Sequence, residues 1–272
     1  MVDSIEQIAL EKAGIIKPNC DVVISPQQES VCRTLNDICH VRGARSIIVG
    51  KDVTWEFRSQ NSNRQQTTIN GRLGKYEIDL PLLGDFQLEN ASSVLAAMEI
   101  LIEKGATISE QSIYDGLYKV SWPCRMEYIS DSPKVLLDGA HNPYSIEVLL
   151  KNLNKQYRDN SLLFIIGVSR DKNVSEMVSL ISGMNSRVIT TKSRHPRSLD
   201  TRYLSELFSG SGTTQVYSTA SVNDALEEAS ALAGDDTLII VTGSLFVAAE
   251  AREHILDITP ELYPDLLSGN SR

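Results

Sequence analysis

The sequence lacks an excess of positive charge, a long apolar run, paired cysteines and a nucleotide-type glycine loop. Each absence removes a class of protein. Lys plus Arg number 26 against 35 Asp plus Glu, a net charge of −9 over 272 residues. A chain that grips nucleic acid by its phosphates carries the opposite sign. Only a local basic pocket for a small anion stays open. The most apolar stretch, Thr237 to Ala251 (TLIIVTGSLFVAAEA), is too short to span a bilayer and is broken by Gly243-Ser244. The opening residues MVDSIEQIALEKAG carry acids and no apolar core, so a secretory signal is not expected. The four cysteines, Cys20, Cys32, Cys39 and Cys124, form no C-x-x-C pair and no disulfide framework. Cys32 and Cys39 lie seven apart on one helix face and read as small buried apolar groups. A reducing, cytoplasmic setting is expected. Gly50-Lys51-Asp52 lacks the upstream glycine and the following Ser or Thr of a phosphate loop. No G-x-S-x-G or G-x-G-x-x-G occurs.

What is present is a globular composition, 42% hydrophobic and 22% charged, enough for one large or two ordinary domains. The spacing predicts helices over Asp3–Ala13, Gln27–Arg42, Gln87–Lys104 and Ser109–Lys119, with short strands at Asp21–Ser25 and Ser46–Gly50. Between Trp55 and Leu82, short alternating runs broken by NSN, NG and LG predict an antiparallel hairpin or meander, with Asn61–Gln66 as its loop. Ser121-Trp-Pro-Cys-Arg125 reads as a linker, so residues 1–122 and 123–272 are expected to form two regions. After the linker, strands at Met126–Ser130, Val135–Leu137, Leu162–Val168, Arg187–Thr191, Gln215–Tyr217 and Leu238–Val241 alternate with helices. That rhythm predicts a doubly wound, mostly parallel sheet.

In such a sheet, ligands bind beyond the carboxyl ends of the strands. Three segments should lie there: Asp138-Gly-Ala-His141-Asn142-Pro143, Gly167-Val-Ser-Arg-Asp171-Lys172-Asn173, and Thr242-Gly243-Ser244. Each puts small or polar residues at a helix N-terminus, which attracts anions. Each also has a plain reading: Asp138, Asn142 and Ser244 as helix caps, Pro143 as a first-turn residue, and Asp171-Lys172 as a solvated pair. Asp-x-x-His alone is no zinc site. Ser193-Arg-His-Pro-Arg197 adds cations after a strand, either as an anion contact or as a surface turn.

Six segments together resemble the folylpolyglutamate synthases and bifunctional dihydrofolate synthases of the muramyl-ligase superfamily. They are Glu11-Lys-Ala-Gly-Ile-Ile-Lys-Pro18, Phe86-Gln-x-x-Asn90-Ala91, Trp122-Pro-Cys-Arg125-Met-Glu127, Leu137-Asp-Gly-Ala-His-Asn-Pro143, Ser169-x-Asp-Lys-Asn173 and Thr242-Gly-Ser-Leu-Phe246. The resemblance implies an α/β chain. It would comprise the remainder of an ATPase domain with a small antiparallel region, then a Rossmann-like C-terminal domain. It implies ATP-dependent transfer of L-glutamate to the γ-carboxylate of a folate through an acyl phosphate, with ATP and Mg as cofactors, and dihydrofolate synthase activity as a further option. Residue by residue, it implies a carbamylated, Mg-binding Lys12, nucleotide contacts at Asn90, Arg125 and Asp138, and His141 near the acyl-transfer centre. Lys172 and Ser244 would meet the carboxylates of glutamate. Carbamate formation needs a neutral amine, hence a buried lysine; the plain alternative is an ion pair of Lys12 with Glu11.

The chain departs from the family at Cys124, which replaces a linker glycine, and in having no phosphate loop before the lysine motif. The chain is therefore expected to be truncated and inactive alone. Two other readings stay open: a non-catalytic glutamate-binding or interaction module, and a ligase for a muramyl-type or poly-glutamyl acceptor. No nucleic acid or membrane partner is expected. The intact enzyme would be a monomer, and the fragment would self-associate through its exposed former interface.

Overall fold

The computed structural model describes residues 4–61, 64–184, 186–260 and 262. The expected helix start Asp3 and the loop residues Ser62 and Asn63 lie outside these. The chain forms two compact units, Met1–Ser121 and Trp122–Arg272.

In the first unit, Ser4 caps α1 (Ile5–Lys12), its hydroxyl accepting the Gln7 N–H at 3.2 Å. Strands β1 (Asp21–Ile24) and β2 (Arg45–Ile48) pair in parallel around the crossover helix α2 (Glu29–Val41). Strands β3 (Thr54–Gln60), β4 (Gln65–Asn70) and β5 (Lys75–Leu80) form the antiparallel meander. The expected loop Asn61–Gln66 is shorter than its polarity suggested. Gln65 and Gln66 already belong to β4, and buried Gln65 donates its amide to the carbonyls of Leu82 and Gly84. A satisfied amide can enter a core that polarity alone would bar. Helix α3 (Asp85–Glu103) buries Leu88, Ala91, Leu95, Ala96 and Ile100 at helical spacing against this sheet, and α4 (Glu110–Lys119) follows.

The second unit is one six-stranded sheet in the order β10-β9-β8-β11-β7-β6. Its strands are β6 (Glu127–Asp131), β7 (Lys134–Leu137), β8 (Ser161–Ile166), β9 (Arg187–Thr190), β10 (Val216–Ser218) and β11 (Thr237–Thr242). All pairs are parallel except β6 with β7 at the edge. The helices between them are α5 (Pro143–Gln156), α6 (Val174–Ser182), α7 (Thr201–Gly210), α8 (Val222–Leu232) and α9 (Leu245–Ile255). Leu137, Leu163, Ile165, Ile239 and Val241 pack with Ala225 and Ala229 of α8 and with Val247, Ala248 and Ala251 of α9. Alternate residues Leu136, Phe164 and Ile240 point the other way and are also fully buried. Burial on both faces is why these strands read as continuous apolar runs.

The last strand, β11, inserts between the first two parallel strands, β7 and β8. In open sheets of this kind, such a reversal of strand order is where a ligand crevice is expected, at the carboxyl edge.

Candidate functional site

The insertion of β11 makes neighbours of the segments after β7, β8 and β11, which are 138–142, 167–173 and 242–244. The backbone fastens them. Asp138 N–H donates to Val241 O at 2.9 Å, and Gly167 N–H to Thr242 O at 3.3 Å. Gly243 has φ +93°, and a Cβ there would stand 2.7 Å from Ile166 Cγ1 and 2.8 Å from Gly167 O. Only glycine permits that approach.

Asp138 is 8% exposed. One carboxylate oxygen accepts Met126 N–H at 2.9 Å and the other accepts Ala140 N–H at 2.9 Å. Burial pushes its carboxyl up, against these two bonds and the positive charge of Arg125. Asp138 does not cap α5. Asn142 does, accepting Ser145 N–H at 2.8 Å, while Ser145 Oγ accepts the N–H groups of His141 at 3.0 Å and Asn142 at 3.1 Å. This reciprocal cap leaves His141 exposed at the mouth of the crevice. His141 Nδ1 lies 2.9 Å from Gly139 O. A carbonyl cannot donate, so Nδ1 carries the proton and the ring's lone pair sits on Nε2.

Exposed Arg125 is flanked by two left-handed residues, Cys124 (φ 58°) and Met126 (φ 49°). Cys124 O accepts Gly139 N–H at 2.7 Å, so the turn is fastened to the loop after β7. Cys124 itself is buried, and burial with Glu127 nearby pushes its thiol up to about 12. Ser244 caps α9, its hydroxyl accepting Phe246 N–H at 3.2 Å. Lys172 Nζ pairs with Asp171 at 3.0 Å, which holds the Asp171 carboxyl below its ordinary range.

The segment after β9 holds a turn with Pro196 and Arg197 exposed, closed by Ser198 N–H donating to His195 O at 2.9 Å, but His195 itself turns inward. His195 is 5% exposed and stacks on Phe246 with ring centroids 4.0 Å apart. Its Nδ1 accepts Arg197 N–H at 3.1 Å, and burial with Arg197 beside it lowers its pKa. Arg194 N–H donates to buried Glu250 at 2.7 Å, and the Arg194 guanidinium pairs with Glu253. Arg194 thus serves the fold of the loop. The anion contact weighed from the sequence gains no geometric support at Arg194.

Lys12 and Asn90 lie in the first unit, apart in sequence from the residues just described. The Lys12 side chain is 70% exposed and pairs with Glu11 at 2.8 Å, so the burial that carbamate formation asks for is missing there. Asn90 donates to Gln87 Oε1 at 3.0 Å within α3. Among the described residues, no three His, Cys, Asp or Glu side chains converge as metal ligands. The described residues therefore form no ready-made cage for a metal ion. Nor is any helix among the described residues long and apolar enough to cross a membrane.

Residues 124–245, which span the Arg125 turn and all three loops, match the family described as Mur ligase, glutamate ligase domain. The greater part of the second unit is thus similar to the glutamate ligase domain of Mur ligases. Along nine-tenths of its length the chain is, more particularly, similar to folylpolyglutamate and dihydrofolate synthases. It is 25% identical over 268 residues to the dihydrofolate synthase/folylpolyglutamate synthase of Bacillus subtilis, covering 93% of this chain and 59% of that protein. It is 29% identical over 253 residues to a probable bifunctional folylpolyglutamate synthase/dihydropteroate synthase of Halobacterium salinarum, covering 92% of this chain and 30% of that one. The solved folylpolyglutamate synthase of Mycobacterium tuberculosis complexed with ADP superposes with TM-score 0.85 at 28% identity, over 93% of this chain and 59% of its own. The chain therefore spans little more than half, or less, of these relatives' lengths.

Sequence reasoning gave no role to Glu127, Arg252 or the His195–Phe246 stack. Glu127 was visible as the last residue of the quoted linker motif. Arg252 carries no local signal, because its partner lies 125 positions away.

Proposed function

We propose that this chain carries the glutamate-adding half of an ATP-dependent amide ligase, joining L-glutamate to the γ-carboxylate of a folate, with dihydropteroate as a second acceptor class. The observation that carries this reading is the convergence of the loops after β7, β8 and β11 within residues matching a glutamate-ligase domain. The relatives' names supply the folate acceptor. The ADP complex of a structural neighbour supports a nucleotide.

Within that reading, Arg125 offers a planar fork to phosphate oxygens. Asp138 shapes the nucleotide side of the crevice by holding the N–H groups of Met126 and Ala140. His141 presents Nε2 as an acceptor, suited to the ammonium proton that an incoming amine must lose before it attacks an activated carboxylate. Lys172 would meet a glutamate carboxylate by exchanging its Asp171 partner, and Ser244 would add a hydroxyl contact from the α9 cap. ATP supplies the phosphoryl group that activates the carboxylate. Asn90, taken by itself, is a candidate nucleotide contact. Lys12, exposed and paired with Glu11, is given no metal-binding step.

The 272 residues contain no glycine-rich phosphate loop. We therefore expect this polypeptide alone to bind ATP weakly, at millimolar concentration, and not to turn over. NMR titration with ATP and with L-glutamate, beside an assay of labelled glutamate added to tetrahydrofolate, tests the reading. Shifts at Arg125 and Gly139 with ATP and at Ser244 with glutamate, without product, support it. Product would overturn the inactivity claim. Silence with both ligands would overturn the site.

A further inference from the structure

The turn that carries Arg125 is costly. A non-glycine residue in the left-handed region costs about 1 kcal/mol, and both neighbours of Arg125 are there. Three bonds hold the turn. Two of them, Cys124 O with Gly139 N–H and Met126 N–H with Asp138, come from the loop after β7. The third comes from Glu127, whose Oε2 accepts Cys124 N–H at 2.8 Å. Glu127 does not stand alone. Arg252 Nε on α9 lies 3.0 Å from one of its carboxylate oxygens and 3.2 Å from the other. The pair is mostly sheltered, with side chains 22% and 27% exposed. A guanidinium on the helix that starts at Ser244 thus anchors the carboxylate that pins the strained turn.

We propose that Glu127 and Arg252 are positioning residues that fix the aim of Arg125, coupling α9 to the phosphate contact. The role rests on the reading of Arg125 given above. Without Arg252, the Glu127 carboxylate gains more by turning to water than by staying on one amide. Cys124 N–H is then released, one restraint on the left-handed pair is gone, and the backbone that carries the Arg125 side chain loses its fixed direction. A brace between the start of β6 and α9 would be the merely structural alternative. It would stabilise the unit but would not act through Arg125.

The test uses the 272-residue chain and the variants Arg252→Met, Arg252→Lys, Glu127→Gln, Arg125→Ala and the double variant Arg125→Ala/Arg252→Met. Amide hydrogen exchange is read at Cys124, with Leu136 and Ile240 as references in the sheet. ATP affinity is read by NMR titration. Arg252→Met should speed exchange at Cys124 about tenfold, the size of one charge-assisted hydrogen bond, while the sheet amides keep their rates. It should weaken ATP about tenfold in the wild-type background and by nothing further in Arg125→Ala. Glu127→Gln should behave like Arg252→Met in both readouts. Arg252→Lys, which keeps the charge, should recover part of both effects and guards against a misfolded methionine variant.

Unchanged Cys124 exchange in Arg252→Met overturns the anchoring. An Arg252→Met effect on ATP of equal size with and without Arg125 overturns the routing through Arg125. Arg125→Ala binding ATP like the wild type strikes the phosphate reading itself, and with it the positioning role. In that case the exchange data show separately whether the anchor exists.

Discussion

Asp138 accepts the backbone N–H of Met126 at 2.9 Å, tying the end of β7 to the residue that follows Arg125. With its second oxygen on Ala140 N–H, this one carboxylate organises two segments of the crevice at once. In this structure both oxygens of its side chain are engaged with backbone N–H groups.

Asp138→Ala leaves both N–H groups buried without an acceptor. Each orphaned donor costs about 1–3 kcal/mol, partly offset because a desolvated carboxylate is removed as well. The expected loss is about 2 kcal/mol, read by thermal or urea unfolding of the chain. A variant as stable as the wild type would show that water satisfies those amides.

Gly243 separates β11 from α9 at φ +93°, against Ile166 and Gly167 O. Gly243→Ala is expected to cost about 1–3 kcal/mol from overpacking and backbone strain together. The effect should appear as a lower unfolding midpoint, together with changed NMR shifts at Gly167. Gly210, where an added Cβ meets nothing within 4 Å, is the control, since Gly210→Ala within α7 should not destabilise.

His195 gives the chain a pH dependence of defined sign. Its folded pKa is lowered from the ordinary 6.5, chiefly by burial and then by Arg197, with Asp171 opposing. The unfolded chain therefore takes the proton first as pH falls. The stability contribution is fully present above 6.5 and is lost as pH drops towards the lowered folded value. The unfolding midpoint of the wild type should fall more between pH 7.5 and pH 5.5 than that of His195→Phe, which keeps a ring against Phe246 but cannot titrate. Parallel curves would mean that His195 charges without cost.

Much of the fold was legible because its signals are local. Helix α9 (Leu245–Ile255) opens at the Thr242-Gly243-Ser244 segment, as its place at a helix N-terminus predicts. The meander between Trp55 and Leu82 followed from alternation and turn residues. Strand order is a different kind of information. Nothing near Thr237 says that β11 lies between β7 and β8, so the closeness of Asp138 to Val241 could be expected only from the general rule for open sheets. Pairings such as Glu127 with Arg252 and His195 with Phe246 depend on that order and left no periodic trace. Lys12 shows the converse: a strong motif marked the residue, yet its side chain is exposed and paired with the adjacent Glu11.

Cys124 inverts an ordinary rule of substitution. At most buried positions alanine is better tolerated than glycine, because glycine loses more backbone entropy on folding. Cys124 sits at φ 58°, where any Cβ is strained, and its thiol is packed among Val135, Leu137 and Ala248 in the core of the second unit. Cys124→Ala gives up buried sulfur contacts and keeps the strain. Cys124→Gly gives up the same contacts and removes the strain, worth about 1–2 kcal/mol before the entropy of glycine is counted. The glycine variant should therefore be at least as stable as the alanine variant, by up to about 1 kcal/mol in chemical denaturation. The opposite order would mean that the turn relaxes out of the left-handed region once the sulfur is gone. The thiol supplies an independent check. Held up to about 12 and buried, it should resist alkylation at pH 8 in the folded chain and react at the ordinary rate in urea.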